Sequence, residues 1–423
     1  MKYAIIILSG AADQALPELD HRTPLQAAHM PQLRSLARRG RVGAVATVPE
    51  GFEPSSEHCL LTLFGHDPRR VLCGRAALEA EAIGVDVGNG FVFRLDLVTI
   101  GDERSRNAGL MLDHTGGRIP TTEADVLLDD LLAYWKRESG DLVRAMEITR
   151  MPGHAALVID RSGRDFADVH TAAPRSIVGE EAAMHEPGGG APGAADALRQ
   201  LVESSFDLLS RHEVNLARVE QGLHPANLAW FWGQGRRPEL ASIQQRFGLK
   251  AAAIGQSLVL RGLARATGWN VHLPAGDRAS IADQACRLLE SHDLVLVCDD
   301  APDQASHVGD WHAKTESLER IDSELIGPVV DRLSAFGDAE RDPAAIGWRA
   351  MVVVDHATPV QTREHAPGPT PVLLAGSWIR SAVERDFSES QAETSDMYID
   401  PGHELIEFFL RGGLARVRKE PRS

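Results

Sequence analysis

Leu294-Val295-Leu296-Val297-Cys298-Asp299-Asp300-Ala301-Pro302-Asp303-Gln304-Ala305-Ser306-His307 sets the architecture of the chain. Its first five residues form a short apolar run of the kind that makes a strand buried on both faces. Asp303 and His307 follow, four residues apart, a spacing that sets a carboxylate and an imidazole on one side of a turn or helical start. A second apolar run, 350–354, leads into Asp355 and His356, with His365 nine residues further on. Taken singly, these are ordinary surface acids and core histidines. Together they describe a candidate two-metal site, because ligands of an open α/β sheet gather beyond the strand carboxyl ends.

The N-terminal run from Ala4 to Leu8 is too brief for a signal-peptide core and reads as another buried strand, turned at Ser9-Gly10. Thr23-Pro24 is a cap followed by proline at the first helical position; Leu33, Leu36 and Ala37 line the next helix, which Gly40 closes. A strand at 42–48 and a loop at 50–56 come next. Strand, helix, strand, loop and helix in this order begin a doubly wound sheet.

From about Gly84 the pattern changes. Phe91, Phe93 and Leu95 alternate as in a strand, and Leu127, Leu128, Leu131, Leu132 and Trp135 mark one side of a helix opening at Thr121. Strand-like runs at 146–148 and 155–159 precede Glu186-Pro187-Gly188-Gly189-Gly190-Ala191-Pro192-Gly193, read as a flexible connection and not a phosphate loop. The expected organisation is an α/β doubly wound metal-binding domain, 1–85 with 195–423, carrying an inserted α+β domain at 86–194. Trp230 and Trp232 are expected in a core.

Acids outnumber bases 60 to 44 in 423 residues, a formal charge of -16 that argues against nucleic-acid and anionic-membrane partners. No run reaches the length of a membrane-crossing helix. Cys59, Cys73, Cys286 and Cys298 form no CxxC pair, which suits reduced thiols and a cytoplasmic protein.

Two cations about 4 Å apart would suit phosphoryl transfer. The attacking hydroxyl should sit in a loop at the same sheet edge. Ser56 is the choice, presented at a helix N-terminus where backbone N–H groups receive phosphate oxygens. Equally, Ser55 or Ser56 could serve as a helix cap with Glu57 in the first turn. Arg75 and Arg94 are candidates for a bidentate grip on carboxylate or phosphate, or for ordinary ion pairs.

Asp303-x3-His307, Asp355-His356-Ala357-Thr358-Pro359 and His365 resemble the metal motifs of the alkaline-phosphatase superfamily. More closely, the chain resembles the archaeal-type cofactor-independent phosphoglycerate mutases and relatives proposed as homoserine kinases. That resemblance also rests on Thr23-Pro24-Leu25, Pro54-Ser55-Ser56-Glu57, Gly65-His66-Asp67-Pro68, Gly74-Arg75-Ala76-Ala77-Leu78-Glu79-Ala80, Phe93-Arg94 and Trp230-Phe231-Trp232-Gly233-Gln234-Gly235. It implies an alkaline-phosphatase-like fold and a catalytic serine at Ser56, phosphorylated and then discharged onto re-oriented substrate. Two divalent cations, manganese or zinc, are implied: one on Asp303, His307 and His365, the other on Asp355, His356, Ser56 and an N-terminal aspartate. The small phosphorylated substrate would meet Arg94, Arg118 and His154 of the inserted domain.

The chain departs from that pattern at several places. Ser9 stands at the N-terminal aspartate position, a weaker ligand for a hard dication unless Asp13 or Glu57 compensates. Ala173-Pro174-Arg175 replaces an Asp-Pro-His segment, so that Arg175 beside Arg118 would build a different anion grip; Asp96 stands where an asparagine is usual. Three functions follow as expectations: a phosphoglycerate mutase-like enzyme, a phosphatase or homoserine-kinase-like relative on another small substrate, and a non-catalytic binding member.

Overall fold

The computed structural model describes residues 1–71, 73–102, 106–380 and 383–412. Two compact units share the chain, Met1–Val71 with Glu239–Ser423, and Leu72–Pro238.

The first unit is built on an eight-stranded sheet. Its strands lie in the order Asn270–His272, Ala251–Ile254, Leu294–Asp299, Lys2–Leu8, Trp348–Val353, Thr370–Gly376, Arg41–Val45 and Tyr398–Ile399. Thr370–Gly376 runs antiparallel to both its neighbours, while the other pairings are parallel. The apolar runs are strands because both faces are covered. Ala4, Ile6 and Leu8 join one core with Leu33, Leu36, Leu289, Leu318, Ile321 and Leu325. Ile5 and Ile7, pointing the other way, are equally buried. Each such aliphatic side chain contributes roughly 1.5–3 kcal/mol of burial free energy.

This order places the candidate ligands. Leu294–Asp299, Lys2–Leu8 and Trp348–Val353 are adjacent and parallel, so their carboxyl ends emerge side by side. Beyond them follow Asp300 and Asp303, Ser9 and Gly10, and Asp355 and His356. The helix through Leu318 is Trp311–Ile321, continued by a π turn at Asp322–Ile326 and the helix Gly327–Ser334.

The second unit is wider than the sequence pattern indicates. Its sheet runs Met111–Asp113, Phe91–Ile100, Ala155–Asp160, Met146–Arg150, and Leu228–Gly235 pairs with Phe91–Ile100 from the other side. That late strand, with the helices Ala194–Leu209 and Glu213–Glu220, falls within 72–238 and not within the sheet domain. The reason is long-range pairing, which no local periodicity records. Phe91–Ile100 is buried on both faces, Arg94 being its one half-buried residue. Trp230 and Phe231 lie in the core as expected, whereas Trp232 is half-buried at its margin. Gly188–Gly189, read as part of a flexible connection, instead pairs with Val169–His170 in a two-stranded ribbon.

Candidate metal centre and a charged cluster in the second unit

Asp303, in the first turn of the helix Ala301–Val308, and His307, in its last, bring a carboxylate and an imidazole together, with His307 Nε2 3.1 Å from Asp303 Oδ2. His365 joins them, its Nε2 3.6 Å from Asp303 Oδ1. Ligand atoms of Asp303, His307 and His365 lie within 4.8 Å of one another. Beside them His356 Nε2 is 3.4 Å from Asp355 Oδ2, and His356 stacks on His365 with ring centroids 3.7 Å apart. All five residues expected to form the centre therefore converge.

The outer contacts fix how each imidazole is presented. His307 Nδ1 faces the Arg363 carbonyl oxygen at 2.8 Å and His365 Nδ1 faces that of Pro54 at 2.8 Å. Because a carbonyl only accepts, both Nδ1 atoms carry the proton and donate. Thr358 donates its hydroxyl to Asp303 Oδ1 at 2.7 Å, so His356 Nδ1, 3.0 Å from Thr358 Oγ1, must be the donor there. Each Nε2 is thus turned towards the carboxylates, as a lone pair in His356 and His365 and within hydrogen-bond distance of Asp303 in His307, the orientation that outer-shell partners impose on metal-binding histidines.

This donor set fits divalent cations. His356 Nε2 is buried without a hydrogen-bond partner, and nitrogen lone pairs facing carboxylate oxygens at 3.4 and 3.6 Å are too far apart for short hydrogen bonds. Burial first, and then the nearby imidazoles, lower His365 to about 4, and burial lowers His356 to about 4, so both are neutral ligands at pH 7. Burial alone would raise Asp303, but the hydrogen bond with His307 and the facing imidazoles outweigh it and hold the carboxyl well below the usual range. Asp355, fully enclosed, is pushed up to about 6 by burial, against hydrogen bonds from Gly10 N–H (3.0 Å) and Ser9 Oγ (2.8 Å).

Ser9 therefore does reach the centre, as a donor to Asp355. The turn it shares requires Gly10: its φ is 63°, and a Cβ there would stand 2.5 Å from Asp303 Oδ1. Asp13 is committed elsewhere. It accepts from the fully buried Lys314 Nζ at 2.7 Å, and Val360 N–H also donates to it, at 3.2 Å. Glu57 lies close enough to act on the charge of His356.

At the helix Ser56–Leu63 the capping role belongs to Ser55, whose Oγ accepts from His58 N–H at 3.3 Å. Ser56 opens the helix as its first residue, two positions after the Pro54 carbonyl that anchors His365. Thr358 and Lys314 border this centre, and strand-end reasoning passed over both. Thr358 lay in the Asp355-His356-Ala357-Thr358-Pro359 run, but nothing local marks a threonine as a bridge.

In the second unit, Arg75, Arg94 and His154 gather around two buried carboxylates. Glu79 Oε1 accepts from Arg75 Nε at 2.8 Å and from Arg94 Nη1 at 2.6 Å, and Arg94 Nε donates to Asp96 Oδ1 at 2.8 Å. Trp232 Nε1 donates to Asp96 Oδ2 at 2.8 Å and its ring lies under both guanidiniums, 5.7 and 5.5 Å away. His154 Nε2 is 3.9 Å from Asp96 Oδ2. Burial and then the Arg175 charge lower His114, which also feels His154 and Asp96, so Arg175 belongs to the same neighbourhood. Among the described residues Arg118 enters none of these pairs; it stands exposed in a left-handed turn at φ 52°.

Known proteins share this sequence and fold. A sequence model of the family described as 2,3-bisphosphoglycerate-independent phosphoglycerate mutase matches residues 37–215. The 2,3-bisphosphoglycerate-independent phosphoglycerate mutase 2 of Methanothermobacter thermautotrophicus is 35% identical, covering 99% of this chain and 99% of its own. A probable 2,3-bisphosphoglycerate-independent phosphoglycerate mutase of Geobacter sulfurreducens is 32% identical over 97% of this chain and 100% of its own. The solved PH0037 protein of Pyrococcus horikoshii superposes with a TM-score of 0.73 at 24% identity, over 99% of both chains. The cofactor-independent phosphoglycerate mutase of Thermoplasma acidophilum does so with a TM-score of 0.56 at 21% identity, over 98% of this chain and 100% of its own. With curated relatives above 30% identity matched almost end to end, the chain belongs to the 2,3-bisphosphoglycerate-independent phosphoglycerate mutase family.

Proposed function

We propose that this protein interconverts 3- and 2-phosphoglycerate through a phosphoserine at Ser56, using divalent cations held at the carboxyl edge of its eight-stranded sheet. The observation that carries the reading is the set of three imidazoles, each with Nδ1–H donated outward and Nε2 turned towards Asp303 or Asp355. Asp303, His307 and His365 would hold one cation, and Asp355 and His356 the core of a second site that Ser56 and Ser9 adjoin. Bound there, such ions neutralise phosphoryl oxygens and acidify a hydroxyl; manganese and zinc both accept nitrogen and oxygen donors of this kind.

The rest follows from the chain's own groups. Ser55 supplies the cap, so the Ser56 hydroxyl is left for chemistry, at a helix end whose N–H groups suit phosphate oxygens. Ser56 Oγ takes the phosphoryl group as the bond to the substrate's 3-oxygen breaks. The glycerate 2-hydroxyl then takes it back, and the serine is regenerated. The second unit's arginine and histidine group, Arg75, Arg94, Arg118, His154 and Arg175, is proposed to contact the substrate acid. Free thiols at Cys59, Cys73, Cys286 and Cys298 suit a cytoplasmic enzyme of glycolytic type, and among the described residues no helix is long and apolar enough to cross a membrane.

A second reading has its own observation. Arg75 and Arg94 face Glu79 and Asp96, two cations against two anions, which leaves less charge for a substrate carboxylate than free guanidiniums would. That balance favours a related phosphotransferase or phosphatase acting on a less acidic small phosphate ester. A manganese-supplemented assay with 3-phosphoglycerate separates the two. Formation of 2-phosphoglycerate, lost in Ser56→Ala, supports the mutase; phosphate release from other small esters without mutase turnover supports the second reading.

A further inference from the structure

Lys314 is a cation walled into the protein beside the metal centre, and the reading above gives it no task. Its side chain and that of Asp13 are wholly enclosed. The helix Trp311–Ile321 could bury an aliphatic residue there instead, and a buried ion pair adds little to a fold over apolar residues of the same size. What an ammonium adds is direction: three protons, each with its own acceptor.

Those acceptors lie in two turns. Nζ donates to the Ala12 carbonyl at 3.3 Å and to Asp13 Oδ2 at 2.7 Å, both in the turn after Lys2–Leu8, and to the Thr358 carbonyl at 3.0 Å, in the turn after Trp348–Val353. The same turns also meet directly. Thr358 N–H donates to the Ala12 carbonyl at 3.1 Å, and Val360 N–H to Asp13 Oδ2 at 3.2 Å. Ala366, next to His365, donates its N–H to the Ala357 carbonyl at 2.8 Å, which ties a further ligand to the same place.

Thr358 carries the consequence to the ligands. Its hydroxyl donates to Asp303 Oδ1 at 2.7 Å and accepts from His356 Nδ1 at 3.0 Å, so one residue aims a ligand of each proposed cation site. A hydroxyl can aim two ligands only where its backbone is fixed. That of Thr358 is fixed through its N–H by Ala12 and through its carbonyl by Lys314.

We propose that Lys314 is a positioning residue of the metal centre: by fixing Thr358 against the Ala12-Asp13 turn, it holds Asp303 and His356 in the geometry that bound divalent cations require. The proposal rests on the metal-centre reading.

Lys314→Met alone would strand the Asp13 carboxylate in the interior at a cost to the fold itself, so the test replaces the pair, Lys314→Met together with Asp13→Asn. This removes one charge of each sign, leaves the net charge unchanged and keeps an oxygen for Val360 N–H. Equilibrium dialysis reads Mn2+ affinity, thermal unfolding in chelator reads the fold, and electron paramagnetic resonance reads the order of the ligands around Mn2+. The paired variant should unfold close to the wild-type temperature, bind Mn2+ about 10–100-fold more weakly and give broadened lines, as ligands without a common anchor would. A folded paired variant with wild-type affinity and line shape overturns the proposal. So does a paired variant that fails to fold in chelator, since Lys314 would then be a staple of the fold and not of the site. A wild-type chain that binds no Mn2+ overturns the metal-centre reading itself.

Discussion

The sheet-edge centre and the arginine cluster of the second unit are built from similar residues but balanced in opposite ways. Around Glu79 and Asp96, each anion meets a guanidinium or an indole N–H at hydrogen-bond distance, so the charges are paired within the cluster even though Glu79 Oε2 is buried without a hydrogen-bond partner. At the sheet edge, carboxylates face imidazole lone pairs and one another, and the charge is left open. A closed cluster is a platform that stays in shape before a ligand arrives. An open one waits for a cation, and holds its geometry through the partners on the far side of each ring: Arg363 and Pro54 carbonyls and the Thr358 hydroxyl.

The contrast can be broken in five ways, the largest first. Replacing Ser56 by Ala should lower mutase turnover by at least about 10⁴-fold, since a covalent path has no substitute nucleophile. It should leave Mn2+ binding at the Asp303 site intact, which dialysis checks. If the open centre requires a cation, Mn2+ should raise thermal stability, by about 4 kcal/mol at a thousand times its dissociation constant, and Asp303→Asn should remove that rise. Arg94→Met should instead cost about 3–5 kcal/mol whether or not Mn2+ is present, because it strands Glu79 and Asp96 in a buried setting; denaturant unfolding in chelator and in Mn2+ measures both.

Smaller effects sharpen the picture. Thr358→Val removes the hydroxyl that orients His356 and Asp303 and should weaken metal binding about 10–100-fold with little change in fold. The pH dependence has a definite sign. Asp355 titrates near 6 in the folded chain and must lose its proton to receive a cation. Occupancy at that site should therefore fall about tenfold per pH unit below 6, while His356, neutral down to about 4, adds no further loss until then. Calorimetric titration with Mn2+ between pH 5 and 7.5 reads this directly.

The sheet edge was legible in the sequence because its parts are local. Leu294–Asp299 and Trp348–Val353 announce themselves as apolar runs, and the ligands follow within a few residues of each strand end. Parallel neighbours then bring those ends together without further instruction. What could not be read was pairing. Leu228–Gly235 joins the second unit because it pairs with Phe91–Ile100, more than a hundred residues earlier, which moved the boundary from 194 to 238. Partners of charged groups were equally hidden: nothing near Asp13 signals Lys314, and nothing near Arg94 signals Glu79. Whether Ser56, the chosen nucleophile, merely caps its helix stayed open until the cap geometry gave that task to Ser55.

The central claim is that the open centre exists to pass a phosphoryl group through Ser56. Mass spectrometry of the protein quenched during turnover with Mn2+ and 3-phosphoglycerate tests it most directly. The account predicts phosphate on the peptide carrying Ser56, absent when Asp303 is replaced by Asn. Turnover to 2-phosphoglycerate with that peptide unmodified at every quench time, or undiminished turnover in Ser56→Ala, would contradict it.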